Sequence, residues 1–143
     1  MNLIEKNYQL NESVFPKRKD ACARAKMLVA RLQEYMLRDR NFANPELNVD
    51  QVAKDLKVSR TYLYKKVKEN TGLTLQDYIN SMRLEDACRL LSASDTLVEN
   101  VANMCGFNKS TFYRLFREKY NITPAEYRKM CMAEKGLSAH PPP

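Results

Sequence analysis

Apolar residues recur at helical spacing along most of this chain. Ala25, Leu28, Val29, Leu32, Tyr35 and Met36 share one face and predict a first helix from about Asp20 to Arg38. The stretch "NFANPELN" ends it, because Pro45 imposes an extended approach. Asn48 and Gln51 form a capping-box pattern that opens a short helix, about Val49 to Leu56, with Val49, Val52, Ala53 and Leu56 on one side. After a break at Lys57-Val58, Ser59 caps a helix to about Asn70 that buries Leu63 and Val67, and Gly72 supplies a left-handed turn. Thr74, with Asp77 at N3, opens a longer helix to about Ser92. On it Leu75, Tyr78, Ile79 and Met82 face one way, and Leu84, Ala87, Cys88 and Leu91 face roughly 180° away, while Leu90 fits neither group. A helix whose apolar side switches midway packs one body with its first half and another with its second, which makes it a connector. A short helix from Val98 to Cys105 follows, capped by Asp95 or Thr96 because Leu97 carries no acceptor. Gly106-Phe107 breaks the chain, Asn108 caps a helix to about Tyr120 that buries Phe112 and Phe116, and Asn121 takes the left-handed turn. "TPAE", Thr123 to Glu126, is a capping box with Pro at N1, and the last helix ends near Met132.

The second half paraphrases the first. A shift of 49 positions sets Val49 on Val98, Val52 on Val101, Ala53 on Ala102, Leu63 on Phe112, Val67 on Phe116, Thr74 on Thr123 and Tyr78 on Tyr127. Lys65 meets Arg114 and Lys68 meets Arg117, so basic matches basic as apolar matches apolar. Each half has a short helix, a tight break and a second helix, the helix-turn-helix plan. Small Ala53 and Ala102 sit where two helices must approach closely. The second helix of each pair keeps a basic and aromatic outer face, clear of its buried stripe. Arg and Lys donors match guanine O6 and N7, and Thr or Ser reaches a base edge.

Composition narrows the class. The chain has 143 residues, 44% hydrophobic, with 24 Lys and Arg against 17 Asp and Glu, a net charge of +7 and a pI near 9.3. That balance points to a polyanionic partner. Cys22, Cys88, Cys105 and Cys131 form no C-x-x-C pair, and the single histidine, His140, lies in a proline tail. No zinc site, Ser/His/Asp set or Gly-rich phosphate loop can be assembled, so neither a cofactor nor an enzymatic activity is expected. The isolated cysteines read as small buried residues in a reducing cytoplasm. No apolar run is long enough to span a membrane, and Met1 to Leu10 is too polar for a signal peptide.

The segment "VANMCGFNKSTFYRLFREKYNITPAEYR", with "VSRTYLYKKVKENTGLTLQDYINSMRLEDACRLL" before it, strongly resembles the DNA-binding domain of bacterial AraC/XylS-type transcriptional regulators. The resemblance covers about Leu47 to Met130. It implies an all-α fold of about seven helices, as two homeodomain-like helix-turn-helix subdomains joined by a long connector helix. Residues 1–19 become a linker or arm, 20–73 the first subdomain, 74–92 the connector, 93–132 the second subdomain and 133–143 a disordered tail. It implies base reading by Arg60, Thr61, Tyr64 and Lys65 and by Lys109, Ser110, Tyr113 and Arg114. Backbone contacts fall to Ser59, Lys68, Asn108 and Arg117, with Arg83 bracing the connector in preference to the alternative of a direct phosphate contact. A connector of about 18 residues spans roughly 27 Å, close to the ~34 Å between successive major-groove segments, so one chain reaches both. Lys57 departs from the family by standing where a turn Gly is common. The implied partners are double-stranded DNA, RNA polymerase and a fused sensing or dimerisation domain. The alternative is a helical protein-interaction module without DNA readout.

Overall fold

The computed structural model describes residues 17–139, with side chains over residues 22–135. It contains seven α-helices: α1 Lys17–Leu37, α2 Val49–Asp55, α3 Arg60–Thr71, α4 Leu75–Ala93, α5 Val98–Met104, α6 Lys109–Tyr120 and α7 Pro124–Ala139. A 3₁₀ segment, Arg38–Ala43, follows α1, and no strand occurs among the described residues. The all-α expectation is met. Two boundaries differ: α1 starts at Lys17 rather than Asp20, and α7 runs past Met132 to Ala139, through part of the expected tail. The arm up to residue 16, the side chains of Lys17, Arg18 and Lys19, and His140 with the terminal prolines lie outside the described residues.

The chain forms two compact units. The first takes α1 to Tyr35 together with Val49–Thr74, and the second takes Met36–Asn48 and everything from Leu75. The repeat holds to the residue, because adding 49 to the bounds of α2 and α3 yields those of α5 and α6. In the first unit Ala25, Leu28 and Leu32 of α1, Val52, Ala53 and Leu56, and Leu63 and Val67 of α3 are buried. Arg31 Nη2 donates to the Leu56 carbonyl at 3.0 Å, and Tyr35 donates its hydroxyl to Asp55 Oδ2 at 2.7 Å, tying α1 to the end of α2. Of the four cysteines expected to be buried, Cys105 is buried, Cys88 and Cys131 are half-buried and Cys22 is exposed.

Each helix-turn-helix turns on one left-handed residue. Lys57 has φ 61° and Gly106 φ 90°. The surrounding hydrogen bonds repeat: Lys57 N to Lys54 O at 3.0 Å and Val58 N to Ala53 O at 3.0 Å, then Gly106 N to Asn103 O at 3.1 Å and Phe107 N to Ala102 O at 2.9 Å. Lys57, standing where a turn Gly is common in the family, therefore carries the strain of a positive φ. A Cβ on Gly106 would stand 2.6 Å from the Ala43 carbonyl oxygen and 3.1 Å from Arg83 Nε, so only glycine fits.

Arg83 explains that crowding. Its guanidinium is buried, donating from Nε to the Phe42 carbonyl at 2.6 Å and from Nη2 to the Asn44 carbonyl at 2.9 Å, and it lies 5.7 Å from the Phe107 ring centre. It braces α4 against the 3₁₀ segment, as expected. That segment contains a feature absent from the sequence reading: Asp39 (φ 50°) and Arg40 (φ 56°) are both left-handed without glycine. Arg40 then donates to Asp86 Oδ2 at 2.6 Å and to the Met104 carbonyl at 3.1 Å, contacts that offset the backbone strain.

The core of the second unit joins Leu84, Ala87 and Leu91 of α4 to Val101, Ala102, Cys105, Phe107, Phe112 and Phe116. Leu90, which fitted neither face in the sequence, packs at its edge. Tyr127 meets Phe116 at 5.7 Å and Arg128 Nε donates to the Leu91 carbonyl at 3.0 Å, seating α7 against the end of α4. Thr123 and Glu126 bond reciprocally at 3.1 and 2.8 Å, the predicted capping box. One expected cap is corrected: α5 starts at Val98 with Leu97 in the cap position and no side-chain bond, so neither Asp95 nor Thr96 shifts its start.

Gly106→Ala should destabilise the protein by about 2–4 kcal/mol, combining left-handed strain with a backbone clash. Gly72 is also left-handed (φ 77°) but has open space around it. Gly72→Ala should therefore cost only about 1–2 kcal/mol, and urea melts of the two variants check the order.

Burial pushes the Asp86 carboxyl up, but hydrogen bonds from Arg40 and Arg89 outweigh it and leave the carboxyl below its ordinary value of 3.8. A depressed folded-state value contributes stability at neutral pH that is lost as pH falls below 3.8 and through the lower folded value. Asp86→Asn should lower stability at pH 7 and flatten that acid limb, measured as unfolding midpoint against pH.

Candidate nucleic-acid interface

The two second helices, α3 and α6, carry every base-reading residue expected from sequence. Ser59 is extended (φ −75°, ψ 155°) and its hydroxyl accepts from Tyr62 N at 3.1 Å, which starts α3. Asn108 (φ −82°, ψ 162°) accepts from Thr111 N at 2.9 Å and starts α6. Both residues had been expected to touch the DNA backbone, and their side-chain oxygens serve as helix caps. The Ser59 hydroxyl proton and the Asn108 amide protons remain the chemistry they can offer a phosphate. Gly72 (φ 77°) and Asn121 (φ 64°) end the two helices in left-handed turns, as predicted.

Burial fixes which face is left over. Leu63 and Val67 are fully buried where α3 packs on α2, and Phe112 and Phe116 where α6 packs on α5. Arg60, Thr61, Lys65 and Lys68 are consequently exposed, with Tyr64 half-buried between them. On α6 Lys109, Ser110, Arg114 and Arg117 are exposed and Tyr113 is half-buried. Positions one turn apart stack on a helix surface, so Arg60 lies under Tyr64 and Thr61 under Lys65. The arrangement repeats with Lys109 under Tyr113 and Ser110 under Arg114. The structure thus gathers four predicted base readers into one strip within each unit.

These strips are cationic but not unpartnered. Arg60 Nη1 lies 3.3 Å from Asp50 Oδ1, and its guanidinium carbon is 5.4 Å from the centre of the Tyr64 ring. Tyr64 first, and Asp50 after it, hold the guanidinium above its ordinary range. Lys109 Nζ lies 2.6 Å from Glu99 Oε1, a hydrogen bond that raises the ammonium likewise. Arg114 Nη1 faces Glu118 Oε2 at 3.5 Å, one turn along. The Ser110 hydroxyl donates to Asn108 Oδ1 at 3.2 Å, and Lys68 Nζ donates to the Gly72 carbonyl at 3.1 Å. Sequence reasoning missed Asp50 and Glu99. The same 49-residue shift that aligned the cations also superposes these two acids.

The Cys105 thiol offers little competing chemistry. Burial, reinforced by Asp86, pushes the Cys105 thiol up to about 12, so it stays protonated at neutral pH. Among the described residues no group of three His, Cys, Asp or Glu side chains is placed to hold a metal ion, and no helix is long and apolar enough to cross a membrane.

Known proteins share this arrangement. A family model described as a helix-turn-helix domain matches residues 52–130. The HTH-type transcriptional activator RhaS of Escherichia coli (strain SE11) is 36% identical over 111 residues, which is 77% of this chain and 37% of RhaS. The chain therefore spans little more than a third of the length of the curated relatives it matches. A transcriptional regulator with an AraC-type DNA-binding domain from Chromobacterium violaceum has a similar structure, at 25% identity and a TM-score of 0.68 over 84% of this chain and 99% of that one. The DNA-binding domain of the global transcriptional factor AdpA, solved in complex with a target DNA, is similar at 26% identity and a TM-score of 0.67, over 74% of this chain and 94% of that one. With the matched residues covering both helix-turn-helix pairs, the chain belongs to the AraC/XylS-type helix-turn-helix family.

Proposed function

We propose that this chain binds double-stranded DNA in a sequence-specific way, reading it with α3 and α6 in adjacent major grooves, and thereby regulates transcription in the bacterial cytoplasm. The observation that carries the reading is the matched pair of exposed cationic strips, each on the second helix of a helix-turn-helix. Packing uses only the inner faces of these two helices. Keeping two outer faces basic and aromatic at repeat-equivalent positions has a direct use on a polyanion.

Arg60, Thr61, Tyr64 and Lys65 read bases from α3, and Lys109, Ser110, Tyr113 and Arg114 from α6. Lys68, Arg117, Ser59 and Asn108 hold the phosphates, helped by the helix N-termini. Arg114 presents a planar fork that suits guanine O6 and N7 better than the single ammonium of Lys65. The α4 helix serves as the connector, between subdomains bounded at residues 20–73 and 93–132. The chain acts without enzymatic chemistry, works with RNA polymerase, and joins natively to a sensing or dimerisation domain. The length of its relatives supports that last point.

Lys65→Ala and Arg114→Ala should each weaken binding to a selected site by about 1–3 kcal/mol and relax the base preference there. Titration against the selected and a random duplex checks this, and an equal loss on both would reassign the residues to phosphate contacts. Wild-type affinity should fall steeply with salt as counterions are released.

Footprinting of one monomer should protect two major-groove segments one helical turn apart. Protection of a single segment would restrict reading to one unit, and salt-insensitive binding would favour a protein-interaction module.

A further inference from the structure

Both reading helices begin with a cation held by an acid from the preceding helix. Asp50 and Glu99 are each the second residue of their helices, α2 and α5, and each holds the first residue of the next long helix, Arg60 and Lys109. The 49-residue shift carries Asp50 onto Glu99 and Arg60 onto Lys109. The pair therefore recurs although both of its positions have changed identity within their charge class.

Folding stability does not explain the recurrence. The side chains are exposed to 59% and 67% in the first pair, and to 63% and 59% in the second. Exposed ion pairs contribute little, because water and salt screen them and ordering two long side chains costs entropy. The first-turn position also favours an acid through the helix dipole, but that needs no cation opposite.

On a DNA-reading surface the same pair has two consequences. The carboxylate repels phosphate, so it opposes the sequence-independent attraction that dominates binding to random DNA. It also restricts the donors of its cation to fewer orientations, which lowers the ordering cost when a base edge presents matching acceptors. Both consequences favour a matched site over a random one.

We propose that Asp50 and Glu99 are specificity-determining positioning residues, which weaken non-specific DNA binding and orient Arg60 and Lys109 for base reading. The proposal rests on the reading of α3 and α6 as DNA-reading helices. It concerns the ratio of affinities rather than affinity alone.

The test uses the whole chain and two duplexes of equal length, one recovered by selection from random sequence and one random. Asp50→Asn, Glu99→Gln and the double variant are titrated at two salt concentrations. Each substitution should raise affinity for the random duplex by about threefold to tenfold and lower the ratio of selected to random affinity. Glu46→Gln removes one exposed negative charge outside these pairs and should leave the ratio unchanged. In an Arg60→Ala background the fall in the ratio caused by Asp50→Asn should be smaller, since Arg60 is no longer there to be positioned and only the repulsion of phosphate is lost. Equal gains on both duplexes, an unchanged ratio, or an undiminished effect of Asp50→Asn beside Arg60→Ala would overturn the proposal. Failure of the wild-type chain to prefer any selected duplex would instead overturn the DNA reading beneath it, and is measured before any substitution is made.

Discussion

One left-handed residue between two helices sets the angle at which the second helix of each pair leaves the first. Lys57 and Gly106 hold that position, and the turn hydrogen bonds around them are the same in both units. The turn brings α2 close to α3, and α5 close to α6, over the small side chains Ala53 and Ala102. From that approach follow the buried stripes Leu63/Val67 and Phe112/Phe116, and from the stripes the exposed strips opposite them. The two turns meet different surroundings. Gly106 packs on the Ala43 carbonyl beside the Arg83 guanidinium, where any Cβ collides. Lys57 bears the same backbone conformation with a side chain, at the moderate cost that L-residues incur there.

Arg83 shows how a buried charge is accommodated. Burial lowers its basicity, yet two backbone carbonyls and the face of Phe107 receive the guanidinium. An arginine in a DNA-binding chain invites assignment to a phosphate. Here the carbonyls of Phe42 and Asn44 occupy two of its donors, so it acts on the fold. Arg40 plays a similar part, and its contacts with Asp86 and Met104 accompany two strained backbone residues in the 3₁₀ segment. Arg40 and Arg83 thus organise the backbone, whereas Arg60, Lys65, Lys109 and Arg114 are left on the outer faces of α3 and α6.

The outer faces differ where the inner ones agree. Val52, Ala53, Leu63 and Val67 have buried counterparts in Val101, Ala102, Phe112 and Phe116. Outside, Arg60 stands against Lys109, Thr61 against Ser110 and Lys65 against Arg114. Arg60 is seated on the Tyr64 ring and faces Asp50, while Lys109 meets Glu99. The two units are thus held alike on the inside and differ on the outside.

Periodicity, caps and the 49-residue repeat determined the helices, their order and the composition of both outer strips. These features depend on residues close in the chain: a cap bonds three positions on, and a helix face is set by its own spacing. Even the choice of Gly72 and Asn121 as left-handed ends was local. Tertiary structure decided what depends on distant partners. The left-handed Asp39 and Arg40 have no local signature, because Asp86 and Met104, far along the chain, receive Arg40. Leu90 found its place at the edge of the core of the second unit, which joins α4 to residues distant in the chain. The Asp50–Arg60 and Glu99–Lys109 pairs lay in the aligned repeat all along, but ten residues of chain separate each acid from its cation. Only the tight turn between the helices brings them into contact.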